Sequence, residues 1–286
     1  MTGEAAEARV IHSLKERTDP TPCDVATGHA HPRLRPYVVG YSGFWAPAGP
    51  PARRRLLPLS LTTLIFDISS PQSGVVTGPR AGSVVEQTEW SYGVSVGLTP
   101  AGVEALLGMR CKELIDARTP LTDLLGDRAV QLTSILAEAP DWPTRFALLD
   151  EHLSAWIARD EPHSPITRAW RLLHVTSSRL PIGQLAAELG VSRRHLELGF
   201  QRTIGVTPKT VARIARFQRA LTALATPTAT LQSAVACGFA DQPHLNREAR
   251  ALTGLAPTEL FASVQDMTRS ADYVRRPWHS MERPRL

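Results

Sequence analysis

The chain has 286 residues, of which 43% are hydrophobic and 21% are charged, and its formal net charge is +5. This length and composition predict a globular protein of two domains, each large enough to bury a core. No run approaches the roughly 18 apolar residues of a membrane span, and the N-terminus lacks the apolar segment of a signal peptide, so we expect a cytoplasmic protein. The cysteines Cys23, Cys111 and Cys237 have no metal-type spacing and predict neither a disulfide framework nor a zinc site.

The N-terminal part of the chain changes character along its length. Residues 1–30 are polar and interrupted by proline, which predicts a flexible tail. Residues 31–162 are predicted to form the first domain. Between Leu56 and Leu98, short β-branched runs are broken by glycine and proline, a pattern that favours antiparallel strands in a small sheet or barrel.

Helical patterns follow the strands. Thr99 and Pro100 have the pattern of an N-cap and a first helical residue, and Gly108 is a stop signal. A later helix carries one apolar stripe, formed by Phe146, Leu149, Leu153, Trp156 and Ile157. The stripe either packs within its own domain or pairs two chains in a homodimer.

The segment ARDEPHSP at residues 158–165 predicts a domain boundary. Residues 163–265 are predicted to form an all-helical domain, and residues 266–286 a basic tail. Residues 166–265 contain twelve Arg or Lys and five Asp or Glu, a net charge of +7, so the positive charge is concentrated in this domain. Such a charge distribution is typical of a nucleic-acid-binding domain, although a solvated basic face gives the same pattern.

The basic domain contains an internal repeat. Residues 185–208 read LAAELGVSRRHLELGFQRTIGVTP, and residues 233–257 read SAVACGFADQPHLNREARALTGLAP. His195 of the first copy matches His244 of the second at an offset of 49 residues. Each copy has a short helix, a glycine turn, a capping residue and a second helix, which is the pattern of a helix-turn-helix unit.

Capping residues define where the second helix of each unit begins. Ser192 is the predicted N-cap in the first unit, where Gly190 ends the preceding helix. Asp241 is the predicted N-cap in the second unit. Pro243 is tolerated there because the N–H groups of a first helical turn have no intrahelical partner.

A linking helix is predicted between the two units. Thr207 caps this helix, Pro208 starts it, and it stops before Pro227. A helix of this length spans roughly 25 Å, so it can hold two recognition helices about one DNA turn apart, near 34 Å. Three arginines recur along it at every third position and either contact the intervening phosphates or form its solvated face: Arg213, Arg216 and Arg219.

The two copies resemble a known DNA-binding domain. The spacing LAxxLGVSxxxLxxxFxxxxGxxP, a linking helix and GFxDQxHLxRxxxxxxGxxP are similar to the two-motif domain of the AraC/XylS family of bacterial transcriptional regulators. In the first half, HPRLRPYVVGY, LSLTTLIFD and GLTPAGVEALLGMRCKEL resemble the sensing region of one branch of that family. The resemblance implies an α+β fold, with a small antiparallel cupin-like β domain followed by helices and an all-α domain of two helix-turn-helix units. It also implies effector binding or dimerisation in the first domain.

Three positions depart from the family pattern. Ser233 stands where an apolar residue is usual, and Ala249 stands where an aromatic side chain usually fills the core beneath the second recognition helix. The loss of that ring leaves a less filled core or demands a compensating neighbour. Leu198 stands where the family often carries an arginine that reaches bases, which weakens the expectation of base reading by the first unit.

The predicted site residues lie on the outward faces of the helices. Six are predicted to read bases: Arg194, Glu197, Gln201, Gln242, Asn246 and Arg247. Arginine suits guanine, asparagine and glutamine suit adenine, and glutamate accepts from cytosine N4. Six more are predicted to contact DNA phosphate: Ser192, Arg193, Arg213, Arg216, Arg219 and Arg250.

Other classes of function are less favoured by the sequence. The two histidines of GHAH at residues 28–31 lack the later histidine and nearby carboxylate of a metal-binding cupin, so no metal is predicted. A DNA-repair enzyme with this type of DNA-binding domain needs an activated cysteine thiol, and no cationic partner of a cysteine is obvious from the sequence. A protein-interaction adaptor leaves the repeat unexplained.

The sequence therefore predicts a cytoplasmic, nucleoid-associated regulator that binds double-stranded DNA and has no catalytic residues and no cofactor. A small-molecule effector, a homodimer and, for an activator, RNA polymerase are the further partners that the resemblance implies. An enzyme that carries an AraC-like DNA-binding domain is the alternative.

Overall fold

The computed structural model describes residues 10–15, 23–47, 52–157, 164–175, 180–226 and 228–270. Most of the predicted boundary at residues 158–165 and most of the predicted basic tail at 266–286 lie outside these residues. None of the described helices is long and apolar enough to cross a membrane.

Two antiparallel sheets form the N-terminal half. One has three strands in the order β1-β4-β7, and the other has six strands in the order β2-β3-β8-β5-β6-β9. The strands are β1 (Ser13–Lys15), β2 (Asp24–Gly28), β3 (Val38–Trp45), β4 (Ala52–Leu56), β5 (Thr62–Asp67), β6 (Val75–Thr77), β7 (Val84–Thr88), β8 (Tyr92–Leu98) and β9 (Arg118–Pro120). The four strands that the β-branched runs predict between residues 56 and 98 are present.

The prediction of a flexible tail over residues 1–30 is wrong where the structure describes that segment. Strand β1 pairs with β4 in the register Ser13↔Leu56, and β2 pairs with β3. Leu14 of β1 and Ala26 of β2 are buried. Strands this short carry no periodic signal, and hydrogen bonds from distant segments hold them in place.

Helices cover the larger sheet. They are α1 (Pro100–Leu107), α2 (Leu121–Leu125), α3 (Asp127–Glu138) and α4 (Trp142–Trp156), with 3-10 helices at Pro32–Leu34 and Cys111–Leu114. The predicted start and end of α1 are confirmed, since the Thr99 side chain accepts a hydrogen bond from the Gly102 N–H and Gly108 has a left-handed conformation. The apolar stripe lies on α4 and its C-cap and packs into the core of its own domain, which is the first of its two predicted roles.

The C-terminal half is helical throughout its described residues, as predicted. Its helices are α5 (Pro165–Val175), α6 (Ile182–Glu188), α7 (Arg193–Thr203), α8 (Pro208–Leu224), α9 (Leu231–Val235), α10 (Gln242–Thr253) and α11 (Pro257–Ser270). The first helix-turn-helix unit is α6–α7, the second is α9–α10, and α8 links them. This arrangement confirms the predicted fold class, an antiparallel β domain with helices followed by an all-α domain.

Candidate nucleic-acid interface

The first unit has the predicted local geometry. Helix α6 ends before Gly190, whose φ of 68° lies in the left-handed region that favours glycine. The Ser192 hydroxyl then accepts a hydrogen bond from the His195 N–H at 3.1 Å and caps α7. Leu196 and Phe200 bury the inner face of α7. The opposite face of α7 is therefore available for a ligand.

The outward face of α7 borders an open groove of about 490 Å³. Arg194 and Gln201, two predicted base-reading residues, line this groove together with Leu198. Lys209 at the start of α8 lines the groove as well and is exposed. Neither Leu198 nor Lys209 was predicted as a site residue, although the helical spacing of Leu198 between Arg194 and Gln201 was available in the sequence.

Two predicted site residues of α7 contact each other. The Arg193 Nε donates to Glu197 Oε1 at 2.9 Å, and the two side chains are 71% and 46% exposed. An ion pair this exposed stabilises the helix little, because water and salt screen it. Breaking this ion pair to contact another ligand therefore costs little free energy for either side chain.

The second unit is also capped as predicted. The Asp241 carboxylate accepts a hydrogen bond from the His244 N–H at 2.7 Å. His244 itself accepts from the Ala240 N–H and packs against the edge of the Phe239 ring, which gives it a capping and packing role. Ser233 exchanges hydrogen bonds with Thr230 in a capping box at the start of α9, which explains a polar residue at this position.

The outward face of α10 presents three of its four predicted residues. Gln242, Arg247 and Arg250 are exposed. Asn246 is half-buried, and its Oδ1 is buried without a hydrogen-bond partner. The amide of Asn246 therefore lies at the border of the exposed face, whereas Arg247 lies within it.

The core beneath α10 is completed from the N-terminal half. Ala249 is fully buried, and the cluster that contains it includes Leu14 of β1 and Leu57, which follows β4. These leucines add apolar side chains from the β domain to the core that contains Ala249. The second helix-turn-helix unit therefore shares its hydrophobic core with the β domain.

The three arginines of α8 have contacts within the protein. Arg213 donates to Glu248 of α10. Arg216 donates to the Gly238 carbonyl at 3.3 Å and lies over the Phe239 ring. Burial lowers the pKa of Arg219, although this side chain remains partly exposed. The face of α8 that carries Arg213 and Arg216 thus packs on the second unit.

The segment from Leu57 to Leu61 joins β4 to β5 and lies between the two helix-turn-helix units. Leu57 belongs to the core of the second unit, whereas Leu59 and Leu61 belong to the core of the first. Between them, the Pro58 carbonyl accepts a hydrogen bond from buried Gln218 of α8 at 2.9 Å. We call residues 57–61 the interdomain segment, because it contacts both units and the linking helix.

Both recognition helices also contact the β domain at their C-terminal ends. At the end of α10, the Ser83 N–H donates to the Leu252 carbonyl, and Arg55 donates to the Thr253 carbonyl, each at 2.9 Å. At the end of α7, Gly205 lies against Ile115. These contacts hold the helix ends and leave the outward faces uncovered.

Neither Cys111 nor Cys237 is an activated thiol. Burial raises the pKa of Cys111 to about 12, and it also raises the pKa of Cys237. A nucleophilic or metal-binding cysteine requires the opposite shift. Within the described residues, no cluster of three or more His, Cys, Asp or Glu side chains could hold a metal ion.

Comparison with known proteins identifies the helical half. A family model described as a helix-turn-helix domain matches residues 185–263. Among solved structures, the chain is similar to an AraC-type transcriptional regulator from Chromobacterium violaceum, with 29% identity over 35% of this chain and 92% of that chain and a TM-score of 0.33. No curated protein matches.

Similarity to solved structures also extends over most of the chain. ToxT from Vibrio cholerae O395 is 12% identical over 86% of this chain and 98% of that chain, with a TM-score of 0.44. ToxT from Vibrio cholerae strain SCE256, solved with an unsaturated fatty acid, is 13% identical over 90% of this chain and 95% of that chain, with a TM-score of 0.38.

The two capped units, their linking helix and the family match define a protein with a double helix-turn-helix DNA-binding domain. The helix-turn-helix domain at residues 185–263 is of the AraC type, and the chain is a DNA-binding transcription regulator.

Proposed function

We propose that this regulator reads a two-part DNA site, with α7 and α10 in successive major grooves. The observation that carries the proposal is the repeated unit, in which both second helices keep an exposed outward face while the opposite face is buried. The linking helix α8 has 17 residues, which gives a length of about 25 Å. That length suits two recognition helices about 34 Å apart.

The exposed side chains supply two kinds of contact. Arg194, Gln201, Gln242 and Arg247 are exposed polar groups that suit base edges in the major groove. Glu197 can contact a base once Arg193 leaves their ion pair and binds phosphate. The half-buried Asn246 can contact a base after a change of side-chain rotamer. Phosphate contacts come from Ser192, Arg193, Lys209 and Arg250, which are all exposed.

The N-terminal domain controls DNA binding through its contacts with both units. The interdomain segment contributes leucines to both helix-turn-helix cores. A small molecule or partner that shifts the β domain therefore acts on both recognition helices together. Such control needs only a ligand with different affinities for the two arrangements.

Selection of bound fragments from randomised duplex DNA at physiological salt tests the proposal. We expect an enriched site of two parts, with centres about 10 to 10.5 base pairs apart. The variant Arg194→Ala/Arg247→Ala, whose changes are on exposed positions, should enrich neither part. Enrichment of a single part, or none, would contradict a two-groove mode of binding.

Thermal denaturation of the full chain with a panel of small metabolites tests the control by an effector. A ligand that binds the folded state raises the Tm. The same ligand should also change the affinity for the selected site. The full chain is required, because Leu14 and Leu57 belong to the core of the second unit.

A further inference from the structure

Leu198 is exposed on the outward face of α7, which the proposed function assigns to DNA. Among the described residues, it is one of two large hydrophobic side chains with high exposure, at 42%, and the other is Val84. A single exposed leucine is common on protein surfaces and has no meaning by itself. The position of Leu198 in the repeat, however, indicates a role in DNA recognition.

Leu198 and Arg247 occupy equivalent positions in the two units. Both follow the capping residue of their recognition helix by six positions, and they are 49 residues apart, which is the offset of the repeat. Both are exposed on the face opposite to the buried core residues Leu196 and Leu245. A base that faces Arg247 in one half of the site therefore has its counterpart facing Leu198 in the other half.

The surroundings of Leu198 combine polar and apolar side chains, as a surface that recognises base edges requires. Arg194 and Gln201 lie one turn before and one turn after it, and all three line the open groove beside α7. Ile182 of α6 lines the same groove and adds a second apolar side chain. The groove thus combines hydrogen-bonding groups with an apolar centre.

We propose that Leu198 determines specificity by contacting the 5-methyl group of a thymine in the half-site bound by α7. In the major groove, thymine is the only base with a methyl group, and apolar side chains recognise it. A guanine, adenine or cytosine at that position instead places a polar edge against the leucine, which cannot form a hydrogen bond. This inference rests on the proposed mode of DNA binding.

Replacement of thymine by uracil tests the contact, because it removes only the methyl group. In the selected site, each thymidine of the α7 half is replaced in turn by deoxyuridine, and the affinity of the full chain is measured by titration. One replacement should weaken binding about three- to fivefold, as expected for the loss of one buried methyl group.

Variants of Leu198 identify the side chain responsible. Leu198→Ala should bind the thymine and uracil sites equally at that position, with an unchanged Tm because the side chain is exposed. Leu198→Met keeps an apolar contact and should retain the preference for thymine. Arg247→Ala is the matched control in the other unit: it should keep the thymine preference and lose discrimination in its own half.

The outcomes separate this inference from the proposed function. If no uracil replacement weakens binding to a selected two-part site, or if Leu198→Ala keeps the preference, the role of Leu198 is wrong while the DNA-binding mode stands. If no two-part site is enriched at all, the proposed binding mode fails, and the inference fails with it.

Discussion

Arg213 of the linking helix donates a hydrogen bond to Glu248 of the second recognition helix, with 2.6 Å between Nε and Oε2. The side chains are 32% and 19% exposed, so the pair is better shielded than the Arg193–Glu197 pair. This ion pair ties the orientation of α10 to that of α8. It also gives Arg213 an anionic partner in the absence of DNA.

The first prediction concerns this ion pair. Arg213→Ala and Glu248→Ala should each lower the free energy of unfolding by about 1 kcal/mol, and the double variant should cost less than the sum of the two. Urea denaturation of the four proteins measures the coupling. Additive effects would show that the contact contributes nothing.

The salt dependence of DNA binding distinguishes the two roles of Arg213. If it serves the ion pair, the slope of log affinity against log salt stays unchanged in Arg213→Ala, whereas the exposed Arg250→Ala lowers the slope by about one unit. A loss of about one unit in Arg213→Ala would assign the side chain to phosphate.

The second prediction concerns strand β1. Leu14 is 2% exposed and packs in the core of the second helix-turn-helix unit. Leu14→Ala should therefore lower the free energy of unfolding by about 2 to 5 kcal/mol. Val84→Ala is the control: Val84 lies in the same three-stranded sheet and is 46% exposed, so its truncation should cost less than about 0.5 kcal/mol. Equal effects in urea denaturation would place Leu14 outside the core.

The sequence predicts the helix-turn-helix units well because their signals are local. Ser192 and Asp241 cap their helices through N–H groups three residues away, and glycine turns fix the ends. Strand β1 escapes prediction because Ser13 pairs with Leu56, far along the chain. Strand β1 has only three residues, so the local sequence gives no strand signal until the partner strand is known.

The sequence predicts which site residues face outward, but it predicts less well which of them contact other elements of the protein. The helical period places Arg194, Arg247 and Arg250 outward, and they are exposed. The same period places Arg213 and Arg216 on one side of α8, but it cannot reveal that the second unit packs against that side. Contacts between elements depend on the tertiary arrangement, which a local pattern does not contain.

The third prediction concerns the contact between α7 and the β domain. Gly205 has a φ of 88°, and a Cβ there would overlap the Ile115 side chain. Gly190 has a φ of 68°, but a Cβ there would meet no atom within 4 Å. Substitution of Gly190 therefore measures only the free energy cost of a left-handed backbone at a residue with a side chain. Gly190→Ala should cost about 1 to 2 kcal/mol, and Gly205→Ala should cost more.

Two measurements check this pair of glycine variants. Thermal denaturation gives the difference in stability, and titration of the selected DNA site shows whether displacement of the α7 end changes affinity. Equal losses of stability in the two variants would mean that Ile115 yields without cost and that the contact does not constrain α7.

The fourth prediction concerns two histidines whose pKa values are lowered, His174 and His12. The His174 ring stacks on Trp170 with 4.6 Å between ring centroids, and its Nδ1 lies 3.4 Å from the Ser60 hydroxyl. Burial, with a smaller effect of Arg219, lowers the pKa of His174 to about 4. Burial and the charges of Arg80 and Arg54 lower the pKa of His12 to about 3.

These shifts fix the direction of the pH dependence. A histidine with a lowered pKa is neutral in the folded protein, so below pH 6.5 the unfolded chain binds a proton that the folded chain does not. The free energy of unfolding is therefore highest above pH 6.5 and falls as the pH decreases toward 4. Each histidine contributes a slope of up to about 1.4 kcal/mol per pH unit in that range.

Replacement of His174 by phenylalanine should remove its share of this slope. The variant His174→Phe keeps a ring against Trp170 and has no group to protonate, so its free energy of unfolding should depend less on pH between 5 and 6.5, by up to about 1.4 kcal/mol per unit. His12→Gln tests the second group, and the double variant should show the weakest dependence. Urea denaturation at a series of pH values measures each slope. An unchanged slope in His174→Phe would mean that His174 takes up its proton equally in the folded and unfolded chains, which contradicts its burial beside Ser60 and Trp170.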